Sequence, residues 1–128
     1  MYIFFKRKEK KEEPVQEEVV QDTGELLANA KRAVAELKDK SGEERIAALN
    51  EIGILYAEAK QTDEAITYLE MSLSEKKDLG KGYRTLLNLY NTKRREAAKA
   101  KDDEQIQYYL RKIDEMMAIS KEVTRASF

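Results

Sequence analysis

The sequence predicts an all-α chain of about five amphipathic helices packed as antiparallel hairpins. Three observations predict it. Apolar residues recur at helical intervals along most of the chain, as at Leu49, Ile52 and Tyr56. Polar breaks carrying a capping side chain and an acid interrupt that pattern at 22–25, 41–44 and 62–64. One Pro and five Gly in 128 residues leave little turn chemistry for a β fold, while abundant Ala, Glu, Lys and Leu favour helix.

The elements follow in order. Residues 1–22 differ from the rest: an apolar tip (Tyr2, Ile3, Phe4, Phe5) precedes a basic run and then an acidic one. The tip is shorter than the roughly 7–15 residues of a signal-peptide core, and its basic residues follow it. This segment reads as a flexible charged leader. A weak membrane contact through the tip, or docking on the domain, are the other readings. Residues 23–125 form the helical domain. Asp22 to Glu25 opens a first helix ending near Lys38–Lys40, with Leu26, Leu27, Ala30, Val34 and Leu37 as its apolar stripe. Ser41 opens a second helix over 43–59, and Thr62 caps a third over 63–76. Asp78 to Gly80 begins a fourth, turning near Lys101 and Asp102. A last helix places Ile106, Tyr109, Leu110, Ile113, Met116, Met117 and Val123 on one face and frays after Thr124.

Gly53 lies inside the second helix, where glycine costs about 1 kcal/mol relative to alanine. Such a cost is offset when another element passes very close. Ala65, twelve residues on, supplies the small opposing surface. Leu49, Ile52, Gly53 and Tyr56, followed by Ala65, Leu69 and Ser72, resemble one tetratricopeptide repeat (TPR). Shifted by 34 residues, the pattern continues through Tyr83, Leu86 and Tyr90, but Leu87 replaces the glycine, which implies looser packing or a changed angle. A second echo, Asp63 to Leu69 against Asp103 to Tyr109, has a shift of 40 and implies a longer second hairpin. The resemblance covers about 46–119. It implies a right-handed antiparallel helix-hairpin stack, a TPR-like α-solenoid of about five helices, with the first and last helices as caps.

Composition excludes much chemistry. Basic and acidic residues number 24 and 25, so net charge gives no pull toward nucleic acid or an anionic membrane. Lys93-Arg94-Arg95 without interleaved exposed aromatics is a weak nucleic-acid signal. Without Cys or His there is no disulfide, no thiolate metal site and no imidazole base. The paired carboxylates 43–44, 63–64, 102–104 and 114–115 sit at helix starts or on charged faces, where acids suit the macrodipole and solvent. Met71, Met116 and Met117 read as core or interface packing residues. No apolar run approaches the roughly 18 residues needed to span a bilayer. The expectation is a cytoplasmic, non-catalytic protein without cofactor or metal.

From Lys76 to Lys101, nine basic residues face only Asp78 and Glu96. A solvated helix balanced by acids on neighbouring helices accounts for this, and a binding face does so equally. In TPR proteins the first helix of each hairpin lines a concave groove that holds a peptide or a partner helix. Carried over by alignment, the partner-binding residues are Asn50, Ile54, Lys81, Arg84, Asn88 and Arg95, beside Ala47 and Glu58. Arg84 and Asn88 resemble half of a carboxylate clamp, whose other half is missing at Asn50 and Ile54. The expected partner is thus a protein or peptide, acidic in character. The alternative is a structural subunit that forms a homodimer or larger assembly through an uncovered face.

Overall fold

Each polar break separates two helices in the computed structural model, which describes residues 22–126. Helix α1 spans Thr23–Glu36 and continues into a 3-10 turn, Leu37–Asp39. Then come α2 (Gly42–Glu58), α3 (Thr62–Glu75), α4 (Lys81–Lys99) and α5 (Asp103–Ala126), with no strand among the described residues. Apart from Asp22, the leader expected over 1–22 lies outside the described residues.

The helices start where the sequence indicates, but the capping chemistry differs. The Asp22 side chain accepts from Gly24 N–H at 3.4 Å, and Asp102 accepts from Gln105 N–H at 3.2 Å. Ser41 makes no capping bond, and Gly42 beside it takes φ +60°. Thr62 lies inside α3, whose N-cap is Gln61 and carries no side-chain bond. Gly80, lacking a side chain, caps α4, and Asp78 falls short of that role. The acids that follow Ser41 and Thr62 still face the positive helix ends and support them electrostatically.

Two hairpins, α2–α3 and α4–α5, close through the same turn. Lys60 (φ 65°) and Lys101 (φ 57°) both adopt the left-handed conformation usually taken by glycine. In each, two backbone bonds tie off the preceding helix: Lys60 to Ala57 and Gln61 to Tyr56, then Lys101 to Ala98 and Asp102 to Ala97. An aromatic pair bridges each hairpin, with ring centroids 5.8 Å apart for Tyr56–Tyr68 and 6.1 Å for Tyr90–Tyr109. At the open end of the first hairpin, Arg45 pairs with Glu75 (2.9 Å) and Lys76 with Glu43 (3.1 Å).

Gly53 makes the close contact its position implies. A β-carbon there would lie 2.5 Å from Leu69 Cγ and 3.3 Å from the Ala65 carbonyl, and Ala65 is fully buried. The second hairpin lacks this contact: Leu87 is half-buried and Gln105, in the place of Ala65, is exposed.

Each helix packs on its neighbours in the chain, and α2 also packs on α4. One core cluster joins Leu37, Leu49 and Ile52; the other joins Leu69, Leu86, Tyr90 and Met116 across α3, α4 and α5. The stripe on α5 is wider than its neighbours cover. Met116 is buried, whereas Leu110 and Met117 are 39% and 47% exposed, so Met117 is not a core residue. No other helix lies over that outer strip among the described residues.

Candidate functional site

The contact of α2 with α4 sets the two candidate helices side by side. The Asn50 amide lies against Gly82, where a β-carbon would overlap it. On α4, Lys81, Arg84, Asn88 and Arg95 are all exposed. Their intervals of 3, 4 and 7 residues put them along one side of the helix. On α2, Asn50 and Ile54 are half-buried, while Ala47 and Glu58 are exposed. A crevice of about 120 Å³ opens where α2 and α3 meet the start of α4. Asn50, Ile54 and Lys81 line it; Arg84, Asn88 and Arg95 continue along α4 beyond it.

The charges of the basic stretch divide into two groups. Lys76 pairs with Glu43, Lys77 with Glu122 and Lys93 with Asp63, each at 3.1 Å. The bond to Asp63 raises the Lys93 pKa above its usual value. Balancing by acids on neighbouring helices therefore accounts for these three. Lys81, Arg84 and Arg95 make no ion pair among the described residues; Arg95 reaches only Thr92, at 3.3 Å. The cations of the stretch without acidic partners among the described residues are Lys81, Arg84 and Arg95 on the candidate face, with Arg94, Lys99 and Lys101.

A second polar group joins α3, α4 and α5, and no sequence spacing reveals it. Tyr90 is 2% exposed and donates its hydroxyl to the Glu70 carboxylate. Lys112 lies 3.8 Å from Glu70 and 3.5 Å from Glu115, with its ammonium 5.8 Å from the Tyr90 ring centroid. Burial, reinforced by Glu70, drives the Tyr90 pKa far up and keeps the phenol protonated. Lys112 therefore belongs to a packed network and is not a solvated surface cation. Ser72 and Gly82 also escape a reading based on charge. The sequence signal for Gly82 is Gly80-Lys81-Gly82 at a helix start, a cue for close approach.

Among the described residues there is no group of three or more potential metal ligands, and no helix is long and apolar enough to cross a membrane. Comparison with family models, with curated proteins and with solved structures finds no match. The described residues form an all-α chain of five helices packed against one another.

Proposed function

We propose that this chain is a non-catalytic, TPR-like protein-interaction module of the cytoplasm. Its two hairpins form a short right-handed stack, and the side shared by α2 and α4 is its concave groove. The ligand is an acidic peptide, in extended form or carried on a partner helix. The observation that carries this reading is the charge division: Lys81, Arg84 and Arg95 have no acidic partner among the described residues, while other cations of the same stretch do. Arg84 supplies a planar donor for a carboxylate, Asn88 bonds a peptide amide, and Ile54 gives an apolar contact. The identical lysine turns and the Gly53–Ala65 contact support the two-hairpin assignment. A fluorescent peptide of alternating Glu and Leu should bind the chain saturably, and an Arg84→Glu, Asn88→Ala variant should lose most of that affinity. Equal binding by parent and variant would reject the groove.

One observation favours a second reading, a homodimer built through α5. Ile106, Leu110, Ile113 and Met117 follow 4-3-4 spacing, and Leu110 and Met117 are exposed. Light scattering at increasing concentration distinguishes this assembly: a dimer that Leu110→Glu converts to monomer supports it, and a monomeric parent rejects it.

A further inference from the structure

The crevice at the start of α4 is more than a gap between helices. It contains a buried polar group that the fold leaves unsatisfied. Ser72 lines it, is only 3% exposed, and its hydroxyl makes no hydrogen bond among the described residues. Leaving a buried hydroxyl unpaired is costly, so such groups call for a partner.

The start of α4 borders the same crevice through Gly80, Lys81 and Gly82. Its N-cap is a glycine without a side-chain acceptor, and its first turn carries no acid, unlike the first turns of the other four helices. The leading N–H groups of a helix lack intrahelical partners and carry the positive end of its dipole. Lys81 adds a cation without an acidic partner, and Asn50 adds an amide that makes no hydrogen bond among the described residues. Ile46, Ile54 and Leu73 form apolar wall. The donors are thus a hydroxyl, a side-chain amide, an ammonium and helix-end N–H groups, on residues that line one small space.

We infer that this crevice is a carboxylate subsite, in which an acidic residue or the C-terminus of the bound peptide accepts from Ser72 and from the first turn of α4. This rests on the groove reading above and deepens it by adding a fixed anchor at one end of the Arg84–Asn88 face. Asp78 lines the crevice too, and its negative charge favours a singly charged carboxylate over a doubly charged phosphate. Within this arrangement Gly82 admits the Asn50 amide to the crevice wall.

The test follows backbone amide resonances of the full chain by NMR. Three probes are titrated: acetyl-Leu-Glu-Leu-amide, acetyl-Leu-Gln-Leu with a free C-terminus, and acetyl-Leu-Gln-Leu-amide. The subsite requires saturable shifts at Lys81, Gly82 and Tyr83 with at least one carboxylate-bearing probe and none with the neutral one. Whichever of the first two binds tells whether side-chain or terminal carboxylate is preferred. Ser72→Ala should weaken that probe about tenfold, the effect of losing a hydrogen bond to a charged group, without lowering the melting temperature. Asp78→Asn should tighten it. The subsite is overturned if the neutral probe shifts these amides equally, if no probe shifts them, or if Ser72→Ala binds as the parent does. Shifts confined to Arg84, Asn88 and Arg95 with the longer Glu–Leu peptide would overturn the subsite and leave the groove standing. Silence at both places would reject both.

Discussion

Replacing Gly53 with alanine tests the contact that sets the first hairpin. The new methyl would sit 2.5 Å from Leu69 Cγ and 2.6 Å from its Cδ2, where ordinary contact needs about a further ångström. Leu69 is 2% exposed and packed among Leu86, Tyr90 and Met116, so it cannot swing aside without disturbing that cluster. Overpacking of this kind costs about 1–3 kcal/mol. Alanine returns about 1 kcal/mol through helix propensity and a less flexible unfolded chain. The expected net loss is about 1 kcal/mol, or roughly 3–6 °C in melting temperature for a domain of this size. Gly53→Leu should lose more. Gly24→Ala is the control: its nearest neighbour would be Asp22 Oδ2 at 3.4 Å, an ordinary contact, so the same substitution should stabilise there. Urea unfolding followed by circular dichroism measures all three. If Gly53→Ala gains as much as Gly24→Ala, the close approach of α2 and α3 is wrong.

Tyr90→Phe removes the hydroxyl bonded to Glu70 and should cost about 1–3 kcal/mol by chemical denaturation. Lys112→Glu should destabilise as well, because it places a third carboxylate beside Glu70 and Glu115; a parent-like melt would deny the network. Burial raises the pKa of Tyr56, Tyr83, Tyr90 and Tyr109 above 10.0, so the stability they contribute is complete below that pH. It is lost as pH rises through their folded-state values, because unfolded tyrosines ionise first. Melting temperature should thus fall above about pH 10, with the tyrosinate absorbance rising as the chain unfolds. Removing residues 1–20 should leave the melting temperature within a few degrees, since the described core closes between Leu26 and Met116; a large drop would place the leader in the fold.

Much of the architecture could be read in the sequence because local rules and tertiary packing agree there. The Leu49–Ile52–Gly53 pattern names a helix face and its close contact at once, and both are present. Ser41 and Thr62 carry capping signals without making the capping bonds, because helix starts are also supported by the acids of the first turn. The outer strip of α5 shows a further limit. Periodicity identifies Leu110 and Met117 as apolar-face residues, but only the number of neighbouring helices decides whether they are covered. Of the candidate site, Lys81, Arg84, Asn88 and Arg95 come from the TPR alignment, and their 3, 4 and 7 intervals agree with the exposed row on α4. Ser72 was legible as a small packing residue, not as an unpaired donor, since its polarity matters only beside the start of another helix. The Tyr90–Glu70–Lys112 network joins three helices, and no local spacing relates such residues.

The groove itself is tested most directly by titrating the Glu–Leu peptide into the parent, Arg84→Glu and Lys121→Glu at two salt concentrations. Lys121 is exposed on α5 and makes no ion pair among the described residues, which suits it as the comparison. The account predicts that Arg84→Glu weakens binding by about 1–3 kcal/mol and that affinity falls as salt rises. Lys121→Glu should stay within about 0.5 kcal/mol of the parent. Equal losses from the two reversals, or an affinity that ignores salt, would contradict a peptide groove on α2 and α4.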